Sequence, residues 1–238
     1  MTVKRIIIVG AGCPLADTIA ETLSTNSEII GISMREFESE FYNQKIIFDF
    51  LSEIQSVDKL HAITKDIESF VVITCTGKFP LRKLLSDYSS EDDWVIFESN
   101  VLGFTVPYRA TISNARLAKK AAYLTFGSVS QVYKYPKLSV FTAAKDALRA
   151  FVLTASHEES GHGVRFYHLN LSTLDQEKEA CFTSRDAGQF LPCEDVAKNI
   201  GHLLKGMDYA PYFSEYNLYK HSDAYYEDGY YSRIPENR

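Results

Sequence analysis

The sequence predicts an α/β fold built on a buried parallel sheet, and three observations carry that prediction. Apolar runs of strand length, rich in Ile and Val, recur along the chain, as in Ile6–Val9. Such near-continuous runs are what a strand covered on both faces requires. Patterns of helical length separate the runs, which is the rhythm of strand–helix–strand units. The first run leads directly into a turn with two glycines, Gly10-Ala11-Gly12, and from there into a helical pattern.

In chain order, Lys4–Val9 reads as a strand, Leu15–Ser24 as a helix, Glu28–Ser33 as a second strand and Lys45–Asp49 as a third. Val57–Ile67 is helical and Phe70–Cys75 a fourth strand. Asp92–Ala118 is a long helical pattern, with a break expected near Pro107;. Ala121–Phe126 is a fifth strand. Phe141–Glu159 is a helix ended by Gly161 and Gly163, and Val164–Leu169 a sixth strand. A last helix, Asp195–Lys205, opens after the turn at Pro192. Right-handed crossovers on this series give a Rossmann-type, doubly wound parallel sheet with helices on both faces. The chain's 238 residues suit one such domain, 1–238;. From Tyr209 the rhythm lapses into a segment dense in tyrosine (Tyr209, Tyr212, Tyr216, Tyr219, Tyr225, Tyr226, Tyr230, Tyr231). Residues 209–238 are expected to be irregular, packed across the domain or against another subunit by rings that are apolar with one polar tip.

A formal net charge of −6 builds no basic face, so nucleic acid is not an expected partner;. No apolar run approaches the roughly 18 residues of a membrane span. Cys13, Cys75, Cys181 and Cys193 form no C-x-x-C pair. They are expected to be free thiols of a reducing cytoplasm, binding no metal and forming no disulfide framework.

The turn Gly10-Ala11-Gly12-Cys13-Pro14-Leu15-Ala16 stands where an open α/β sheet receives a pyrophosphate. A tight turn there exposes backbone N–H groups, and the following helix N-terminus favours negative charge. Gly10, Gly12 and Leu15 are therefore candidate nucleotide-binding residues, with a purely structural glycine turn as the alternative.

Several motifs together resemble the short-chain dehydrogenase/reductase family over about four-fifths of the chain. The turn is laid out like the family's T-G-x-x-x-G-x-G, with Val9 for the threonine, Gly10 at the first glycine, and Pro14 and Ala16 at the other two. Asp49 matches an aspartate that contacts adenine. Thr74-Cys75-Thr76-Gly77 stands at the family's N-N-A-G and keeps only Gly77. Asn100, in Trp94-x5-Asn100-Val101-x-Gly103, is similar to an asparagine that supports a proton-relay water. Gly127-Ser128-Val129-Ser130 resembles the catalytic serine segment. Phe141-Thr142-Ala143-Ala144-Lys145 stands at Y-x-x-x-K, and Leu191-Pro192-x-Glu194-Asp195-Val196-Ala197 resembles the family's last helix start.

The resemblance implies hydride transfer between a nicotinamide and a carbonyl or alcohol. Ser128 would hold the substrate oxygen, Lys145 the nicotinamide ribose, and Asn100 a water leading to solvent. It also implies that Phe141 replaces the tyrosine whose hydroxyl gives or takes the proton, and a phenyl ring cannot do so. At the tip of the second strand, Ile32-Ser33-Met34-Arg35 offers no carboxylate for a ribose 2′-OH, and Arg35 suits a 2′-phosphate, which favours NADP over NAD;. Pro14 lacks an N–H and should weaken phosphate binding, with Gly12 supplying compensating freedom.

Three functional readings follow. The favoured one is a redox-impaired NAD(P)(H)-binding protein that acts by binding, as partner of an active paralogue. It rests on the altered glycine turn, the altered N-N-A-G, the missing tyrosine, and Leu171-Ser172 where the family has P-G. The second is an active NADP-dependent oxidoreductase of ketoreductase type, with the proton donor relocated to Tyr133, Tyr135 or His168. The third is a non-redox enzyme in the same pocket. Thr173–Phe190 corresponds either to a lid over a small-molecule substrate or to a plain surface loop. The resemblance further implies a homo-oligomer, or a hetero-oligomer with a paralogue, paired through the helices at Asp92–Ala118 and Phe141–Glu159. Phe104, Tyr108, Leu148, Phe151 and Val152 are the candidate contact face.

Overall fold

The computed structural model of the chain describes residues 3–79, 83–175 and 190–219. Seven strands form one sheet in the order β3-β2-β1-β4-β5-β6-β7, every pair parallel. They are β1 Arg5–Val9, β2 Glu28–Ser33, β3 Gln44–Ile47, β4 Ser69–Thr74, β5 Lys120–Ser128, β6 Arg165–Leu171 and β7 Phe213–Leu218. Among the described residues seven α-helices accompany them: α1 Pro14–Leu23, α2 Glu53–Thr64, α3 Ser90–Phe97, α4 Gly103–Leu117, α5 Ser130–Tyr133, α6 Ser139–Glu158 and α7 Cys193–Lys205. The Rossmann-type architecture expected from the sequence is therefore present.

The strands read as continuous apolar runs because alternate residues enter two different cores. Ile6 and Ile8 face α1 and α7, whose Ile19, Ala20, Val196 and Ile200 complete one core. Ile7 and Val9 face the other way, packing with Leu60 of α2, Phe104 and Ala110 of α4, and Leu148 and Val152 of α6. Strand order reverses between β1 and β4, and the loops after β1, β4 and β5 all emerge at the same carboxyl edge. That is the crevice where sheets of this kind bind ligands.

Three expectations are corrected. Within the segment expected to be irregular, Phe213–Leu218 forms β7 and pairs with β6 from Phe166↔Phe213 to Leu171↔Leu218. The remaining tyrosines, from Tyr225 on, lie outside the described residues, as does Cys181. The long helix does not break at Pro107, which is buried inside α4. It is interrupted earlier, by a π-helical turn over Glu98–Leu102. Finally, the contact face proposed on α4 and α6 points largely inward. Phe104, Leu148 and Val152 are at most 3% exposed, packed on the sheet, whereas Phe151 is 51% exposed. The apolar stripe was real, but the sheet occupies it. Among the described residues, no helix is long and apolar enough to cross a membrane, and no group of His, Cys, Asp or Glu could hold a metal ion.

Candidate functional site

At the nucleotide end, both glycines of the turn have left-handed backbone, φ 86° at Gly10 and 87° at Gly12, a conformation that favours glycine;. Space reinforces the requirement. A Cβ on Gly10 would lie 2.7 Å from the Cys75 carbonyl oxygen, and one on Gly12 would lie 2.7 Å from Cβ of Phe37. The Gly10 and Ala11 N–H groups both donate to the Ile32 carbonyl at 2.9 Å, so they tie β1 to β2. Pro14 opens α1 without an N–H, and the Cys13 thiol faces the N–H groups of Ala16 and Leu15. Burial pushes that thiol up. Leu15 itself is buried in the core. Arg35 lies exposed just past β2, with its N–H donating to Ser33 Oγ at 3.2 Å. Exposed Asp49 accepts from the Leu51 N–H at 3.0 Å, closing the turn into α2.

At the chemical end the structure gathers Gly77, Asn100, Ser128, Phe141 and Lys145. Asn100 sits in the π-helical turn, only 1% exposed, and its Nδ2 donates to the Ile96 carbonyl at 2.9 Å and the Lys78 carbonyl at 3.2 Å. Its Oδ1 is buried and accepts no hydrogen bond among the described residues. A Cβ on Gly77 would fall 2.3 Å from that oxygen and 3.4 Å from Nζ of Lys145, which places the three residues around one point. Lys145 is 6% exposed, and its ammonium donates to the Phe126 carbonyl at 2.8 Å.

Phe141 and Lys145, four apart on α6, do share one face. The Lys145 ammonium lies 5.6 Å from the centre of the Phe141 ring, within cation–π range;. The ring is 6% exposed, among Ile96, Val101, Val140 and Ala144. Phe79 meets it edge-on, with ring centres 5.0 Å apart. The place expected to hold a proton donor is thus an apolar aromatic contact.

Sequence reasoning missed two residues here. Phe79, two residues beyond Gly77, covers Phe141. Gln131 ties the serine to the lysine: its Oε1 accepts from the Ser128 N–H at 2.7 Å, and its Nε2 donates to the Lys145 carbonyl at 2.9 Å. No spacing rule flags either one. Ser128 Oγ in turn accepts from the Ser130 N–H at 3.2 Å and lies 3.1 Å from Ser130 Oγ.

His168, one of the three alternative proton donors, is fully buried behind Gly127. Its Nδ1 lies 2.8 Å from Thr125 Oγ1, and burial, aided by the Lys145 charge, pushes its imidazole down to about 4. Tyr135 is also buried, and Tyr133 packs near it with ring centres 6.0 Å apart. Of the segment expected to act as a lid, residues 176–189 lie outside the described residues.

No family model matches the sequence, and no curated protein matches it. Solved structures do share the fold. A tyrosine-to-phenylalanine variant of ElxO with NADPH bound superposes with TM-score 0.80 at 18% identity, covering 97% of this chain and 100% of that one. The 3-ketoacyl-(acyl-carrier-protein) reductase from Brucella melitensis complexed with NADH gives 0.81 at 15%, covering 91% and 97%. Serine dehydrogenase from Escherichia coli gives 0.76 at 15%, covering 90% and 96%. The fold is thus one shared with dehydrogenases and reductases, among them structures solved with NADPH and NADH.

Proposed function

We propose that this chain binds a nicotinamide dinucleotide over the carboxyl edge of β1, β4 and β5 and acts by binding, as the partner subunit of an active relative or of a second copy. The observation that carries the reading is Phe141, an aromatic contact of Phe79 at the position from which a proton would be supplied. The residues fit the cofactor in most respects. The turn at Gly10–Gly12 leads into α1, Arg35 is exposed at the tip of β2, and the orphaned Asn100 Oδ1 and the Lys145 ammonium converge beside Gly77. A bound reduced nicotinamide supplies a hydride. Ser128 can orient a carbonyl oxygen, but no residue at the Phe141 position can protonate it. A missing positioned acid costs roughly 10²–10⁴-fold in rate. That a tyrosine-to-phenylalanine variant of ElxO is found with NADPH bound supports separating binding from proton transfer.

Titrating nicotinamide fluorescence tests the cofactor reading. NADPH should bind ahead of NADH, both modestly because Pro14 removes one donor, and Arg35→Ala should abolish the preference. Tight NADH binding without NADPH binding would overturn the assignment of Arg35. Of the relocated-donor alternatives, Tyr133 and Tyr135 keep a place as test residues. His168 is disfavoured by its burial behind the strand.

A further inference from the structure

A second cavity lies on the flank of α6, and it does not depend on the cofactor reading. A cavity of about 520 Å³ opens between the start of α6, the loop before it and the segment at Leu84 and Leu85. Ser128, Phe141 and Lys145 do not line it. Its mouth carries the side chains of Leu84 and Leu85, which are 53% and 66% exposed.

The polar side of the cavity asks for an anion. α6 is 20 residues long and begins after Leu138, so no side chain caps its first N–H groups. Those groups carry the positive end of the helix dipole. Thr142, in the first turn, is 6% exposed and lines the cavity, yet its Oγ1 is buried with no hydrogen-bond partner. The hydroxyl of Ser139, also in the lining, is in the same condition. Two orphaned hydroxyls at an uncapped helix start represent unspent hydrogen-bonding capacity, which is costly to bury without a partner. Positive charge is present too. Lys134 and Lys137 both line the cavity; Asp146 pairs with Lys134, while Lys137 is exposed and makes no ion pair among the described residues.

We propose that this cavity binds a small organic anion, its phosphate or carboxylate held by the α6 N-terminus, Ser139, Thr142 and Lys137, and its apolar body resting on Leu84 and Leu85. Phosphate and carboxylate share the recognition chemistry of charge-assisted hydrogen bonds.

The test is an amide NMR titration of the full chain with hexyl phosphate, hexanoate, inorganic phosphate and hexanol. Hexyl phosphate or hexanoate should shift the amides of Ser139, Val140 and Phe141 and saturate, whichever binds tighter naming the head group. Inorganic phosphate should act on the same amides with about tenfold lower affinity, having lost its apolar contacts. Hexanol should leave those amides in place. Lys137→Gln and the isosteric Thr142→Val should each weaken binding by about tenfold. Arg35→Ala should leave it unchanged, which separates this site from the nucleotide turn. The proposal is overturned if the shifts map to Gly10–Leu15, if hexanol acts as well as the anions, if neither variant changes the affinity, or if no saturation occurs below about 10 mM, where a contact is adventitious.

Discussion

Replacing Phe141 by tyrosine adds back the single oxygen that the resemblance says is missing, and the structure determines what that oxygen would meet. The ring is 6% exposed, packed with Ile96, Val101, Val140 and Ala144 and edge-on to Phe79 at 5.0 Å. Lys145 stands over the face of the ring, with its ammonium already given to the Phe126 carbonyl at 2.8 Å. A hydroxyl extends the ring in its plane, whereas the ammonium lies over the face of the ring. Left without a partner, it should cost about 1–3 kcal/mol. For a chain of this size each kcal/mol lowers the melting temperature by about 2–4 °C. Phe141→Tyr should therefore melt several degrees below wild type in a calorimetric scan and show no new NADPH oxidation on a panel of carbonyl compounds. A variant that melts at or above the wild-type temperature and oxidises NADPH would refute this reasoning. It would mean that the oxygen reaches Ser128 and Lys145 across an open cleft.

Two further outcomes test the surrounding structure. Gly127→Ala should cost about 2–3 kcal/mol in urea unfolding, the scale of an overpacked core, because its Cβ would fall 2.1 Å from Asn170 Oδ1, 2.3 Å from Gln131 Oε1 and 2.5 Å from His168 Nε2;. An unchanged midpoint would show that the polar groups behind β5 are not so close. His168 sets a pH dependence: its imidazole is held down near 4 by burial, so between about pH 6.5 and that value the unfolded chain takes up a proton that the native state refuses;. Stability should fall as pH drops through that window, at most about 1.4 kcal/mol per unit, and His168→Gln should flatten the slope. The same slope in wild type and variant would assign the effect to other groups.

Most of the sheet was legible because its strands are buried on both faces, and Ile6–Val9 or Phe70–Cys75 can be little else. β7 was not, because Phe213–Leu218 is an edge strand with Glu215 and Asn217 in its sequence and only Ser214 fully buried. Its pairing comes from β6 and not from its own pattern. Pro107 was the visible helix breaker, yet the interruption lies at Glu98–Leu102, where no proline or glycine announces it and where Asn100 is held. The sequence marked Phe104 on one helix and Leu148 and Val152 on another as apolar-face residues, but it could not say whether sheet or subunit covers them;. The candidate site was legible where spacing alone brings groups together, as Phe141 and Lys145 do on one helix. It was illegible where tertiary contact decides, as with Gln131 bridging Ser128 to Lys145 and Phe79 closing over Phe141.

The central claim is that binding and hydride transfer have come apart at Phe141. Wild-type protein at saturating NADPH, with the binding isotherm and the oxidation rate recorded on the same sample over a broad carbonyl panel, tests it most directly. The account predicts a saturable fluorescence change while NADPH is consumed no faster than in buffer. Sustained oxidation by the wild type, abolished by Tyr133→Phe or Tyr135→Phe, would contradict it and place the proton donor between Ser128 and α6.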